Sequence, residues 1–409
     1  MKKMGIGVVG AGFMGKAHCV ALSNMPKLFT DAPYVPVFKT VCDIVPEIAE
    51  DFKERFSFEK ACTNYMDVVN DPEIDIVCVC TPNDSHAEIS IAALKAGKHV
   101  ICEKPIATKT EDAKAMAGAA EEAAKKGIVS MCGYQYRRVP AIDEAKKIIE
   151  SGRLGEITNV RAQYLQSWSA DPRSPLSWRF VKETAGAGTL GDIFTHALDI
   201  AQYLAGNVTD VVSMVKTYIK ERPVQEGGVD LLGTVKLGDD AKKQVVDVDD
   251  EVSILCNFDS GAIGSVEATR MAWGRNNYLT VEVHGTKGSL TWNYERLNEL
   301  EVCYGMEDND GERGFRKIYT GPANPHGDVT WNIPGMNIGY GELKAIEAYE
   351  FAKAVVGVIK NQYPDKEVKI MNAEGLSECR KMMTMAKAGK YPGYLLEGMA
   401  CPGGCVAGP

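Results

Sequence analysis

Long apolar runs are missing from this chain of 409 residues. None approaches the roughly 18 residues that a membrane-crossing helix needs, so no span is expected. Surplus positive charge is missing too: 46 lysines and arginines stand against 55 aspartates and glutamates, a formal net charge of -9. That balance argues against nucleic acid as the main partner and against a polybasic hold on anionic lipid, since both want a basic surface. No internal repeat is visible, which sets aside repeat architectures. A secretory leader is not expected. Lys2 and Lys3 precede an apolar stretch broken by Gly5, Gly7, Gly10 and Gly12, and no small-residue cleavage site follows. Cysteine is plentiful, at 12 residues, but the chain is not the short secreted kind that disulfides staple. Cys78, Cys80 and Cys102 sit in apolar runs, where a free thiol acts as a small hydrophobe. A cytoplasmic location is the expectation.

What is present is an ordinary globular mixture, 45% hydrophobic and 25% charged, in a length that suits two domains. Up to about residue 130, short β-branched runs at 5–9, 37–42, 74–80, 99–102 and 128–132 alternate with helical stretches at 15–24, 45–56, 86–96 and 110–126. Apolar strands alternating with helices predict a parallel sheet covered on both faces. From about residue 155 the strands alternate apolar with polar residues, as in EVSILCNFDSGAIGSVEATR and YLTVEVHGTKGSLTW, with turn residues at 259–261 and 286–288. These read as antiparallel hairpins with one packed face. Helices are expected at 192–204, 341–360 and 372–387, and a polar insertion or long hairpin at 221–247. The fold class is therefore α/β: a doubly wound parallel sheet over 1–136, an α+β domain with a mostly antiparallel open sheet over 137–395, and a Cys/Gly-rich tail at 396–409.

Gly10-Ala11-Gly12-Phe13-Met14-Gly15 follows the first strand and opens the first helix. Gly10 permits a tight turn, Gly12 lets a pyrophosphate approach the backbone, and Gly15 lets helix and strand pack closely. The free N–H groups and positive dipole end of the helix then face the phosphates. Asp43, ending the second strand, is placed to accept from the ribose hydroxyls and to repel a 2′-phosphate, which favours NAD over NADP. Its other reading is a helix cap. Asp43 lies further from the glycines than the roughly 20 residues expected, and the excess is assigned to a loop holding Pro26, Pro33 and Pro36. Ligands of such sheets sit beyond the carboxyl ends of the strands, so Thr81-Pro82-Asn83-Asp84-Ser85-His86 should reach the nicotinamide half.

Glu103-Lys104-Pro105 follows the next strand, and Asp192 and His196 stand in a DxxxH spacing. With GAGFMG, TPNDSH and the hairpin text, these motifs resemble the glucose–fructose oxidoreductase/inositol dehydrogenase family (Gfo/Idh/MocA) over nearly the whole chain. The resemblance implies a Rossmann-type first domain, NAD as cofactor, and a homo-oligomer, dimer or tetramer, built on the open sheet face. It implies Lys104 between nicotinamide and substrate, with a cis bond to Pro105, and Glu103 beside it. An ammonium there can stabilise developing alkoxide charge. It also matches Asp192 and His196 to the second catalytic motif. An imidazole suits proton exchange near neutral pH, so His196 is the expected acceptor of the hydroxyl proton. The competing reading makes Asp192 an N-cap and His196 a hydrogen-bonded core residue. No third ligand of matching spacing suggests zinc, and no metal is expected.

Gln135 stands where the family often has Asn, next to nicotinamide or substrate. Tyr136, Arg161, Gln163, Trp168, Trp178, Arg179 and Tyr278 are candidate walls of a carbohydrate pocket, with Trp178-Arg179 preferred. The tail carries Cys401-Pro402-Gly403-Gly404-Cys405, which resembles a cysteine motif of iron–iron hydrogenases. Two cysteines are too few for a complete cluster. The leading expectation is NAD-dependent oxidation of a secondary ring hydroxyl of a sugar, glycoside or cyclitol. A reductase of another carbonyl or enone, and a non-catalytic NAD-binding regulator, are the alternatives.

Overall fold

The computed structural model describes residues 2–225, 235–238, 240–331, 333–357, 369–374 and 394–399. The described residues divide into two compact units, one taking in 2–81, 85–133 and those from 344 onward, the other 82–84 and those of 134–343.

The first unit is built on a six-stranded parallel sheet. Its strands are β1 (Lys2–Val9), β2 (Tyr34–Cys42), β3 (Lys60–Cys62), β4 (Ile76–Val79), β5 (His99–Cys102) and β6 (Ser130–Cys132). Their order is β3-β2-β1-β4-β5-β6, all parallel, which puts the reversal of strand order between β1 and β4. Every residue of β4 is buried, as a central strand with helices on both faces requires. Helices α1 (Phe13–Leu28), α2 (Pro46–Phe56), α3 (Tyr65–Asn70), α4 (His86–Lys95) and α5 (Thr110–Ala124) supply those layers.

The proline-rich loop expected before Asp43 is largely absent. Helix α1 runs through Pro26 in its last turn, and β2 starts at Tyr34, ahead of Pro36. Pro36 is tolerated because β3 pairs only with Thr40–Cys42, so Pro36 needs to offer the ladder nothing on that side. The extra residues thus lengthen a helix and a strand, leaving a short connection.

The second unit holds an eight-stranded mixed sheet: β7 (Ile157–Leu165), β8 (Val208–Lys216), β11 (Glu251–Phe258), β12 (Ile263–Thr269), β13 (Tyr278–Gly285), β14 (Ser289–Asn293), β15 (Glu299–Cys303) and β16 (Arg316–Tyr319). A separate pair, β9 (Glu221–Pro223) and β10 (Lys243–Val245), forms the base of the expected 221–247 hairpin. The sheet order is β16-β15-β14-β13-β7-β12-β11-β8, antiparallel except for β12 beside β7. Both expected hairpins form, and Gly261 turns the first with φ +90. Residues of alternate parity, such as Val281 and Val283, point into one core with α6 (Pro140–Glu150) and α7 (Thr195–Ala205). The opposite face leaves Val212, Met214 and Leu255 exposed.

Helix α8 (Tyr340–Val356) is grouped with the parallel-sheet unit from Lys344 onward, whereas the sequence reading assigned all of it to the second domain. Within that unit Tyr349 stacks on Phe29 at 4.0 Å and donates to Asp31 at 2.6 Å. The helix expected from 372 does not begin there, because β17 (Lys369–Glu374) commits that backbone to a parallel ladder with β18 (Tyr394–Met399). Cys401 and Cys405 lie outside the described residues.

Candidate active site

In the first unit the glycine turn takes the form its chemistry requires. Gly10 has φ +98 and its N–H donates to the Cys42 carbonyl at 2.8 Å. A Cβ there would stand 2.6 Å from the Cys80 carbonyl group, and one on Gly15 would stand 2.2 Å from the Gly10 oxygen. Gly12 differs: a Cβ on it would meet nothing within 4 Å. Its surroundings are open at the N-terminus of α1, where a dinucleotide's pyrophosphate would lie. Phe13 is exposed beside it. The Asp43 carboxylate accepts the Ala11 N–H at 2.9 Å and the Val45 N–H at 3.1 Å. It therefore steadies the glycine turn and the bend that leads into α2, whose N-cap residue is Val45 and which has no side-chain cap.

Beyond the sheet's carboxyl edge, two residues expected at the cofactor serve other purposes. His86 is fully buried, with Nδ1 2.8 Å from the Pro105 carbonyl and Nε2 2.9 Å from that of Thr81. Both nitrogens thus face acceptors. Burial opposes its charge, but Cys102 and the two carbonyls outweigh it and raise the imidazole pKa to about 9. His86 straps the Thr81 turn to the segment holding Lys104, and neither nitrogen is left for a cofactor.

Glu103 is also buried. Its Oε1 accepts from His18 Nε2 at 2.7 Å and from the Lys344 ammonium at 3.3 Å, and Lys344 pairs in turn with Glu347. Burial would push this carboxyl up, yet Lys344, His18 and Lys104 hold it well below the usual carboxylate range. Its role is to anchor the strand end from which Lys104 projects. The Lys104–Pro105 bond is cis, as expected.

In the second unit Asp192 lies inside a π-helical turn, Leu190–Phe194, that runs directly into α7. It is not an N-cap, because its own N–H already donates to the Gly188 carbonyl at 2.9 Å. The capping work falls to Asp249, whose two carboxylate oxygens accept from Gly188 and Leu190 at 2.8 and 2.7 Å. A single wide turn of this kind is frequent at functional sites. His196 is buried against the edges of Tyr134 and Tyr136, at 5.8 and 4.8 Å between ring centres, with Tyr164 at 6.0 Å. Two of these tyrosines belong to a polar chain: Tyr136 and Tyr164 share a hydroxyl contact of 3.2 Å, and Tyr164 donates to Asn277, which also receives Gln166.

A recess in this unit is lined by Asn83, Trp178, Arg179, Ala185, Ala187 and Asp192. Arg179 stacks on Trp178 at 4.4 Å, and Asn83 donates to the Ala185 carbonyl at 2.9 Å. Asn83, expected at the cofactor, thus joins this recess, and Gln135 is buried nearby in sequence to Tyr136. Arg161 does not belong to the pocket wall. Strand alternation turns Val160, Ala162 and Tyr164 to the core and leaves Arg161 exposed on the opposite face of β7. Gln163 shares that parity. Among the described residues no cluster of His, Cys, Asp or Glu could hold a metal, and no helix is long and apolar enough to cross a membrane.

Residues 4–131 match the oxidoreductase family with an NAD-binding Rossmann fold, and residues 142–291 match the GFO/IDH/MocA C-terminal domain. The chain belongs to the Gfo/Idh/MocA oxidoreductase family. Levoglucosan dehydrogenase of Pseudarthrobacter phenanthrenivorans is 52% identical over 355 residues, covering 87% of this chain and 90% of that protein. Myo-inositol 2-dehydrogenase of Thermotoga maritima is 28% identical, covering 77% and 82%. A solved structure of levoglucosan dehydrogenase with NADH superposes with a TM-score of 0.81 at 49% identity, covering 87% and 90%. One with NADH and levoglucosan gives 0.80 at 49%, with the same coverage. Like these relatives, this Gfo/Idh/MocA member is an NAD-dependent dehydrogenase/reductase. The open space at Gly12 and the carboxylate at Asp43 fit that cofactor. Residues 336–409, by contrast, match the C-terminal domain of the iron only hydrogenase large subunit, in line with the resemblance of the cysteine tail.

Sequence reasoning missed His18, Lys344, Asp249 and Arg270. The last is a fully buried arginine 3.5 Å from Asp192.

Proposed function

We propose that this enzyme oxidises a secondary ring hydroxyl of levoglucosan or a closely related anhydro sugar, with NAD as hydride acceptor. The observation that carries this reading is the 52% identity to a levoglucosan dehydrogenase over 90% of that protein's length. In levoglucosan the anhydro bridge joins the anomeric carbon to the primary carbon, so its free hydroxyls are secondary ring alcohols. The aromatic and guanidinium surface of Trp178 and Arg179 suits a neutral sugar, offering an apolar face and hydrogen-bond donors.

The glycine turn, the start of α1 and Asp43 hold the dinucleotide. The nicotinamide supplies the hydride chemistry when bound. Lys104 donates to the reacting oxygen and stabilises its growing negative charge. His196 accepts the hydroxyl proton, its ring held among tyrosines, and Asp192 orients the sugar.

The test is NADH formation from NAD with levoglucosan, free glucose and myo-inositol. Levoglucosan should have the highest kcat/KM, and Lys104→Met and His196→Asn should each lower kcat by about 10²–10⁴-fold. Preference for myo-inositol, or silence on all three by protein that still binds NADH, defeats the proposal.

A further inference from the structure

We propose that Arg270 is a positioning residue that sets the Asp192 carboxylate for the reaction, an inference that rests on the role given to Asp192 above. Arg270 follows the end of β12 and its side chain has no exposed surface. Burying a guanidinium is costly unless it is paired and hydrogen-bonded. Its ion-pair partner among the described residues is Asp192, with Nη1 3.5 Å from Oδ2.

Of the remaining nitrogens, Nη2 is held and the buried Nε has no hydrogen-bond partner among the described residues. Nη2 donates to the Asp249 carbonyl at 3.2 Å. The same carbonyl receives the Thr189 N–H at 3.0 Å, and the Asp249 carboxylate grips the N–H groups of Gly188 and Leu190. The Arg270 group is flanked by the Trp168 and Phe180 rings at 5.2 and 5.1 Å, and Arg222 stands 4.2 Å from Phe180. A Cβ on Gly188 would come 1.9 Å from the Asp249 oxygen and 2.9 Å from Arg270 Nη2, so this glycine is what allows the close approach.

One planar fork thus joins the backbone that shapes the π-helical turn to the carboxylate that the turn carries into the recess. Arginine suits this place because its plane is fixed by two rings and its two ends reach different oxygens. Lysine offers a single rotatable point charge. Asp192 is partly exposed while Arg270 is not, so substrate can reach the carboxylate and never its holder.

The test is a double-mutant cycle on turnover of the preferred sugar, whose wild-type rate separately tests the proposed function. Melting temperature and NADH affinity are measured for each variant. Arg270→Lys should lower kcat by about 10–100-fold, as a small misplacement of a reacting group does, with NADH affinity unchanged. Combined with Asp192→Asn, it should add less than about 3-fold to the loss from Asp192→Asn alone, since residues acting as one unit are not additive. Losses that multiply, or an Arg270→Lys variant with wild-type kcat, overturn the proposal. Should Arg270→Lys fail to fold, Trp168→Leu removes one flanking ring, leaves the arginine in place, and carries the same cycle.

Discussion

Replacing Lys344 with methionine tests the buried charge cluster that anchors the Lys104 segment. In the wild type one ammonium serves two buried carboxylates, Glu103 and Glu347, with His18 on the same Glu103 oxygen. Methionine fills similar volume but leaves those carboxylates short of charge. Removing one partner of a buried pair costs about 3–5 kcal/mol. At about 2–4 °C per kcal/mol for a unit of this size, melting should fall by about 6–20 °C. The pH dependence has a definite sign. The folded state holds the Glu103 carboxyl below its ordinary value, so this stability is present above the ordinary carboxylate range and is lost as pH falls through and below it. Without the ammonium, burial dominates and favours the protonated acid, which makes folding less favourable as pH rises. The deficit of Lys344→Met against wild type should therefore be larger at about pH 8 than at about pH 5, read by thermal denaturation with circular dichroism. A melting temperature within about 2 °C of wild type at both values, or a deficit that grows toward acid, refutes the reasoning.

Two glycines that look alike in sequence should respond differently. Gly10→Ala forces a Cβ into a backbone with φ +98 and against the Cys80 carbonyl, so it should lower stability and NADH affinity together, by about 1–3 kcal/mol for the strain alone. Gly12→Ala meets no neighbour, so it should leave melting unchanged while weakening NADH in a fluorescence titration. Equal effects of the two on melting would contradict this. Asp43→Ser removes the charge facing a 2′-phosphate and keeps one acceptor for the turn. With about 3 kcal/mol of repulsion between unit charges ~5 Å apart at an effective dielectric of 20, the NADP/NAD ratio of kcat/KM should rise by about 100-fold. A ratio changed by less than about 3-fold would mean that Asp43 serves the turn alone.

What the sequence revealed and what it hid divide along a physical line. The glycine turn, the parallel strands and both hairpins were legible because each is decided by residues a few positions apart: a positive φ, a period of two, a turn residue. Arg161 was misplaced although strand alternation puts it opposite Ala162 and Tyr164. Pro26 and Pro36 were read as loop residues because tolerance of proline depends on which backbone groups a neighbour needs, and no local pattern records that. His86 and Glu103 were assigned to the cofactor because their strand-end positions suit it, yet their polar atoms are already taken by Thr81, Pro105, His18 and Lys344.

Lys344 was the hardest to see. With Glu347 it forms an i,i+3 pair of opposite charge, the pattern of a solvated helix face worth a few tenths of a kcal/mol. Burial reverses the meaning of the pair. The same two residues, placed against Glu103 and His18, become a cluster whose disruption costs several kcal/mol. Helical spacing says which side chains share a face, and only the partner from a strand far earlier in the chain says whether that face is wet. The charged residues most open to misreading are therefore those whose counter-ions are distant in sequence, and Arg270 with Asp192 is the second case here.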